Sequence, residues 1–126
     1  MKRPLLGFCI LLALLLSSIC IWWAMMDIHR DIAGLLTQAQ TAAEAENWQQ
    51  AEYFSSLAAK KWEHHHRFTA SFADHTPMDE LDSLFAELEV FLQNRESPHF
   101  ESTCAQLILL AHAMADSHNI SWWNVL

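Results

Sequence analysis

The stretch PLLGFCILLALLLSSICIWWAMM, which begins at Pro4 and ends at Met26, decides the architecture of this chain. It contains no charged residue, and the first charge after it is Asp27. A helix that spans a bilayer needs about 20 apolar residues, so the stretch is long enough to cross a membrane once. The sequence therefore predicts two parts: residues 1–27 form an N-terminal transmembrane signal-anchor, and residues 28–126 form an extracytoplasmic helical domain.

The residues that flank the stretch predict its orientation. Lys2 and Arg3 precede it, and basic residues favour the cytoplasmic side of a membrane. The N-terminus is therefore expected in the cytoplasm and the C-terminal domain outside it, as in a single-pass protein of the cell membrane. Trp22 and Trp23 stand near the outer end of the stretch, where amphipathic rings suit the headgroup layer.

A cleaved signal peptide is the alternative to an anchor. Signal peptides have an apolar core of about 7–15 residues followed by small residues, whereas this stretch is longer and ends in WWAMM. The segment Ser17-Ser18-Ile19-Cys20 resembles a lipoprotein cleavage box, but Ile19 is too large for the position before the cysteine. An uncleaved anchor is the favoured prediction, and whether the anchor is ever cleaved stays open.

The charge of the chain is concentrated after the apolar stretch. All 15 acidic residues lie at or after Asp27 but only five of the seven basic ones do, so this part carries a net charge of −10, against −8 for the whole chain. Such an acidic surface argues against binding to nucleic acid or to anionic lipid. It suits a domain that the charge keeps soluble, or one with a basic partner.

The residues after Asp27 have the pattern of an all-α protein. Pro77 and Pro98 each follow a Thr or Ser that can cap a helix, and Asn47 is a third start signal. Four helices are predicted: one continuing from the membrane to about Glu44, then Trp48 to about Asp74, Pro77 to about Asn94, and Pro98 to about Ser117. Short connections make neighbouring helices antiparallel. We therefore expect a transmembrane helix that continues into an antiparallel four-helix bundle or stacked helical hairpins.

Apolar residues at helical spacing predict the core of this domain. Helix three has the cleanest stripe, and we expect it at the centre of the core; its members are Leu81, Leu84, Phe85, Leu88, Phe91 and Leu92. The same stripe is also suited to a homodimer. Phe54, Leu57 and Phe68 are expected to widen the stripe of helix two, and Gly34 permits a bend in helix one. Cys104 is the only cysteine of the domain, so packing alone must hold it together.

Several short motifs follow one another along the chain. Asn47-Trp48 is followed by Ala51, Trp62, His75 with Met78-Asp79, and a terminal Asn124-Val125-Leu126. With the N-terminal anchor, this layout resembles the bacterial family called domain of unknown function 4363, found mainly in Firmicutes, over nearly the whole chain. The resemblance implies a short, membrane-anchored helical protein and no particular activity. The matching residues are Trp48, Trp62, His75, Asp79 and Asn124.

Four of these matching residues have structural interpretations. Trp48 and Trp62 are fourteen residues apart on nearly the same helix face, which favours two core anchors over a ligand cage. His75 can donate to the last carbonyls of helix two, at the end of the helix dipole that favours a positive charge. Asp79 can accept hydrogen bonds from the amide groups at the start of helix three. A contact between His75 and Asp79 would hold the turn. A catalytic dyad would also need a nucleophile and a pocket, so no catalytic residue is predicted.

Residues 64–66 are three successive histidines. Successive helical residues point about 100° apart, so the three cannot converge on one ion, and no metal ligand or cofactor is predicted. Helix two can still bring one of them to His29, His99 or His112 on a neighbouring helix. A histidine-dependent metal-binding or sensing domain is therefore the alternative function, since zinc sites take ligands from separate elements.

The last nine residues are largely apolar but too short to span a membrane. We expect them to fold back and cap the bundle, with Asn124 satisfying backbone groups as the chain turns. The alternative is a docking motif for a partner or a membrane surface through Trp122 and Trp123, because tryptophan pairs suit both.

Taken as a sequence, the chain is most consistent with a non-enzymatic interaction or structural accessory module of the cell envelope. Its expected partners are the membrane and another envelope protein, and a homo-oligomer remains open. An enzyme is disfavoured because no nucleophile–base pattern is visible. The low glycine content also argues against a phosphate-binding loop.

Overall fold

A computed structural model describes the backbone of residues 2–69 and 76–123, and the side chains of all of these except residues 2, 25, 26, 76 and 117–123. The described chain contains no strand and forms four helices: α1 (Lys2–Glu44), α2 (Trp48–Thr69), α3 (Thr76–Asn94) and α4 (Ser97–Trp123). The prediction of an all-α protein, in which a long apolar N-terminal helix continues into a helical bundle, is confirmed.

The helix α1 joins the apolar stretch to the bundle without a break. It has 43 residues, which corresponds to about 64 Å at 1.5 Å per residue. Gly34 lies within it and does not interrupt the helix. A Cβ atom at Gly34 would meet no atom within 4 Å. The glycine is therefore not required for close packing, and the bend predicted there is not accompanied by a break in the helix.

The α1 helix, not α3, lies at the centre of the bundle. It makes the most extensive contacts, with α4 and with α2, whereas α3 packs on α4, touches α2 only lightly and has no backbone contact with α1 in the described residues. The prediction that helix three forms the centre of the core is therefore wrong. The reason is that α1 presents fully buried alanines, including Ala39 and Ala43, whose small side chains let the neighbouring helices approach closely.

The core otherwise follows the predicted stripes. Its largest fully buried side chains are Phe100, Ile32, Leu36, Leu88, Leu107 and Cys104. Phe54 and Leu57 are half-buried, as expected of residues that widen the stripe of α2, but Phe68 is 65% exposed. Its predicted place in the core is wrong because the buried positions near it are taken by His65 and Thr69.

The turn between α1 and α2 explains why α1 ends where it does. Glu46 adopts a left-handed backbone conformation with φ of 58°. Its N–H donates to the Ala43 carbonyl at 2.9 Å, and the Asn47 N–H donates to the Ala42 carbonyl at 2.9 Å. This pair of bonds is a Schellman motif. The Asn47 side chain then accepts from the Gln50 N–H at 3.3 Å, so the predicted cap of α2 is present.

The turn between α3 and α4 repeats this geometry. Arg95 has φ of 54°, its N–H donates to the Leu92 carbonyl at 3.2 Å, and the Glu96 N–H donates to the Phe91 carbonyl at 3.0 Å. Two matching turns of this kind produce two antiparallel helical hairpins, α1–α2 and α3–α4. The connection between the hairpins, residues 70–75, lies outside the described residues.

The start of α4 differs slightly from its prediction. The helix begins at Ser97, and the Glu96 carbonyl accepts its first bond, from the Phe100 N–H at 2.9 Å. The Ser97 hydroxyl donates to the Glu101 carboxylate and also lies 3.5 Å from the Ala43 carbonyl of α1. Ser97 is therefore a first-turn residue and not the cap. Its contact with Ala43 places both turns at one end of the bundle, which we call the turn end.

The far end of α4 overturns a second expectation. The helix was predicted to stop near Ser117 and the last segment to fold back, but the backbone stays helical through Trp123. The fold-back is therefore wrong for residues 118–123, because the chain has no helix-breaking glycine or proline after Pro98. Asn124 and the two residues after it lie outside the described residues.

Candidate functional site

The first half of α1 is an apolar surface on which none of the side chains that the structure describes is packed. In the described part of the chain, α1 is the one helix long and apolar enough to cross a membrane, and its apolar window is not buried at all. Its large side chains are each between 45% and 67% exposed: Leu5, Leu6, Phe8, Ile10, Leu11, Leu12, Leu14, Leu15, Leu16, Ile19, Ile21 and Trp23. Helices that are apolar on all sides occur in the cores of large proteins and in membrane spans.

The second half of α1 begins near His29 and lines the core, so one helix passes from an apolar surface into a bundle interior. We call the end of the bundle next to the apolar half the proximal end. A salt bridge between Lys61 and Asp31, with Nζ–Oδ2 at 3.3 Å, ties α2 to α1 there. Both side chains are exposed, so this pair adds at most about 1 kcal/mol to stability.

A polar cluster joins α2 to α3 near the proximal end. The Trp62 indole Nε1 donates to Asp82 Oδ1 at 2.6 Å, and His66 Nδ1 lies 3.1 Å from Asp82 Oδ2. Trp62 is 3% exposed, and a buried indole N–H needs an acceptor. The helical spacing of four residues puts Trp62 and His66 on one face, so a single carboxylate from α3 serves both. We call these three residues the Trp62–Asp82–His66 cluster.

Two buried histidines meet beside this cluster. The rings of His29 on α1 and His65 on α2 stand edge to face, with centroids 5.0 Å apart, and His65 also lies 6.1 Å from the Trp62 ring. The sequence left open that helix two lends a histidine to His29, and the structure brings that pair together. Among the described residues no group of three or more His, Cys, Asp or Glu side chains is placed to hold a metal ion.

Trp48 lies at the opposite end of α2, near the turn end. It is half-buried, and its ring stands edge to face with Phe100 of α4 at a centroid distance of 5.9 Å. Phe100 is fully buried. The two matching tryptophans therefore lie at opposite ends of α2: Trp48 contacts α4, and Trp62 contacts α3.

Cys104 is the one thiol beyond the apolar stretch. It is completely buried in the core. Burial, with a smaller contribution from the negative charge of Glu101, raises the pKa of the Cys104 thiol from 9.0 to about 12. A thiol is a nucleophile only as the thiolate, so Cys104 is an apolar core residue at neutral pH and not a reactive group.

The other residues singled out in the sequence are not brought together. Asp79 is exposed in the first turn of α3. A carboxylate there interacts favourably with the positive end of the helix dipole. His75 and Asn124 lie outside the described residues, so their predicted roles stay predictions. Trp122 and Trp123 belong to the last turn of α4.

Sequence reasoning missed Asp82 and the partner of Trp48. Asp82 borders the apolar stripe of helix three because it follows Leu81 directly. A tryptophan at a predicted core position needs an acceptor within reach of its indole N–H. This requirement predicts a polar residue beside the apolar stripe of a neighbouring helix, although it does not identify which residue.

Comparison with known proteins places the chain in a family. Residues 23–125 match the family profile described as a domain of unknown function, DUF4363. The matched range starts near the end of the apolar stretch and includes the second half of α1 and the helices α2, α3 and α4. Comparisons with curated proteins and with solved structures found no match. Since the matched residues make up most of the chain, this protein belongs to the DUF4363 family.

Proposed function

We propose that this protein is anchored in the cell membrane by residues 4–26 and presents an acidic helical domain outside the cytoplasm. In this proposal the domain is a non-enzymatic interaction or structural module for another envelope protein. The observation that carries the proposal is α1, which is exposed and apolar over its first half and buried in the bundle over its second.

The energetics of α1 support membrane insertion. Each large apolar side chain gains about 1.5–3 kcal/mol when it is moved from water into an apolar environment. A dozen such side chains on one half-helix make exposure to water very unfavourable. The same helix then contributes Ile32 and Leu36 to the core, so the anchor and the domain share one continuous element and are not joined by a flexible linker.

Charge supports the orientation. Lys2 and Arg3 precede the apolar stretch, whereas Asp27 and Asp31 follow it and the later part of the chain carries the net charge of −10. The asymmetry of basic residues favours a cytoplasmic N-terminus.

The chemistry of the side chains supports an interaction role over catalysis. Cys104 is buried and protonated. The most polar arrangement, the Trp62–Asp82–His66 cluster, joins α2 to α3 through its own hydrogen bonds. In this arrangement the Asp82 carboxylate and His66 stabilise the packing of α2 on α3.

Membrane extraction and protease protection test the anchor. The full chain is expected to resist alkaline extraction from membranes, and a C-terminal tag is expected to be digested in spheroplasts while an N-terminal tag is protected. A variant with Leu11, Leu14 and Leu15 changed to Asp should lose this resistance. A matched variant with Asp at the exposed positions Tyr53, Phe68 and Val90 should keep it. Recovery of the unmodified protein in the soluble fraction, or a C-terminal tag in the cytoplasm, would contradict the anchor or its orientation.

Crosslinking in native membranes tests the interaction role. We expect one stoichiometric membrane protein to be crosslinked to the full chain and to be lost when residues 4–26 are removed. An intact, correctly inserted protein that crosslinks only to lipid would contradict the role as an accessory module.

A further inference from the structure

The surface between α2 and α3 is open toward the turn end. We propose that this α2–α3 groove binds a basic amphipathic helix of a membrane partner, an inference that rests on the proposed function and names the chemistry of the partner. Its lining includes Glu52, Ser56 and Ala59 of α2 and Phe85, Leu88 and Glu89 of α3.

The groove lies beyond the side chains of the cluster that joins α2 to α3. Among the described helix pairs in contact, α2 and α3 have the slightest packing, and the Trp62–Asp82–His66 cluster joins them near the proximal end. Beyond the cluster, a cavity of about 280 Å³ opens between the helices. A second depression of about 280 Å³, lined in part by Trp48 and Gln93, continues it to the turn end.

The dimensions of the groove suit a helix. On α2 the two depressions extend from Lys60 to Trp48, which is about 18 Å at 1.5 Å per residue and equals about three helical turns. The floor is apolar, with Leu88 almost fully buried and Phe85 half-buried. Helix-in-groove recognition uses such a floor to receive the apolar face of an amphipathic helix.

The small side chains on α2 allow close approach. Ser55, Ser56 and Ala59 form the α2 wall of the groove, where larger residues would close the space between the helices. The α2 wall of the groove belongs to a helix that packs on α1, the helix that carries the apolar stretch. In this proposal, an extracytoplasmic helix of a membrane partner lies along the groove.

The net negative charge of the domain around the groove selects a basic occupant. Glu52 and Glu89 stand on opposite walls, and within the described residues neither forms a salt bridge with a basic side chain. Lys60 lines the main cavity and Arg95 lines the second depression, so the groove itself carries two acidic and two basic side chains, and the excess of negative charge comes from the domain around it. The α3 wall belongs to a helix with five carboxylates and no basic residue, Asp79, Glu80, Asp82, Glu87 and Glu89. A second copy of this acidic domain would be repelled, whereas Lys or Arg on the polar face of a partner helix would be attracted.

Peptide binding tests this assignment on the full chain in nanodiscs of zwitterionic phosphatidylcholine. The probe is a labelled 14-residue helical peptide with Leu and Ala on one face and Lys on the other, and fluorescence anisotropy gives its Kd. Glu89→Lys and Ala59→Trp are expected to weaken binding at least about tenfold, since one reverses a wall charge and the other fills the groove. Glu89→Lys is at an exposed position, so it keeps the test valid if Ala59→Trp does not fold.

Matched variants on the opposite face of α3 separate the groove from general acidity. Glu87→Lys and Ser83→Trp change the same properties at exposed positions that do not line the groove, and both should bind the peptide within about twofold of the unmodified protein. Equal losses for Glu89→Lys and Glu87→Lys would overturn the assignment. So would equal binding of a peptide with Glu in place of Lys.

A second experiment distinguishes failure of the groove from failure of the proposed function. A photo-crosslinking residue at Ser56 should capture the membrane partner, whereas the same residue at Ser83 should not. Capture from Ser83 alone would show that the protein binds its partner at another surface. That result would agree with the proposed function and contradict the assignment of the groove.

Discussion

At the scale of single residues, the Trp62–Asp82–His66 cluster is the most specific arrangement in the molecule. The buried indole of Trp62 has one donor, and Asp82 Oδ1 accepts it at 2.6 Å. Loss of the acceptor would leave that N–H buried without a partner, which costs about 1–3 kcal/mol. The carboxylate therefore stabilises the packing of α2 on α3 although Asp82 itself is exposed.

A double-mutant cycle tests this arrangement. Asp82→Ala should lower the free energy of unfolding by about 1–3 kcal/mol in the unmodified protein. It should have a much smaller effect in a Trp62→Phe background, where the donor is already absent. Urea unfolding of the detergent-solubilised protein gives the four values. Glu87→Ala is the control and should change stability by less than about 0.5 kcal/mol. Additive effects of Asp82→Ala and Trp62→Phe would show that the hydrogen bond contributes nothing.

The buried thiol of Cys104 predicts a dependence on alkaline pH. Its pKa is about 12 in the folded protein and 9.0 as a free group, so above pH 9 the unfolded state loses a proton that the folded state keeps. Stability should be unaffected below pH 9 and fall by about 1.4 kcal/mol per pH unit between 9 and 12 from this group. Unfolding curves of the unmodified protein and Cys104→Ala isolate the contribution, because other groups titrate in both. Parallel pH profiles would show that Cys104 ionises freely in the fold.

At the scale of elements, the two Schellman turns place the helices. Glu46 and Arg95 occupy positions where glycine is usual, with φ of 58° and 54°. A residue with a side chain is strained in this conformation by about 1–2 kcal/mol. The hairpins therefore form in spite of these two residues, because the carbonyls at the ends of α1 and α3 are satisfied by the turn.

Glycine at these positions should stabilise the protein. Glu46→Gly and Arg95→Gly are each expected to raise the free energy of unfolding by up to about 1 kcal/mol, because relief of the left-handed strain exceeds the entropy that glycine loses. Glu44→Gly, at the last residue of α1 and two residues before Glu46, should instead destabilise, by up to about 1 kcal/mol. Thermal melts of the three variants suffice. A loss of stability in Glu46→Gly comparable to that of Glu44→Gly would contradict the turn geometry.

The peripheral position of α3 does not make its core residues dispensable. Leu88 is 2% exposed and packs in the main core cluster. Leu88→Ala should lower the free energy of unfolding by about 2–5 kcal/mol through lost burial and the cavity that remains. Val90, on the same helix, is 52% exposed, so Val90→Ala should have a small effect. A melting temperature unchanged by Leu88→Ala would show that α3 does not pack as described.

At the scale of the whole molecule, α1 has two different halves: the first is apolar and exposed, and the second packs in the bundle. The buried core residues begin at His29 and none precedes it in the described chain. Among the side chains that the structure describes, the apolar half of α1 therefore contributes none to the buried core of the bundle.

This separation predicts that the domain folds without its anchor. A protein comprising residues 27–126 should be soluble, strongly helical by circular dichroism and cooperative in thermal unfolding, because it keeps every described core residue. Leu36→Asp in the same protein should abolish the transition, since it buries an unpaired charge in a fully buried position. Aggregation or loss of helicity of the unmodified 27–126 protein would show that the apolar half stabilises the bundle.

The sequence by itself determined the helical class, the apolar stretch, the cap at Asn47 and most core positions. It could do so because helical periodicity and capping are local properties. Only the tertiary structure decided that α1 and not α3 is central, that Phe68 is exposed, and that Asp82 accepts from Trp62. These features depend on how closely particular helix faces approach one another. That distance depends on small side chains such as Ala39 and Ala43 on one helix and on the side chains of the neighbouring helices. It therefore cannot be derived from any single segment of the chain.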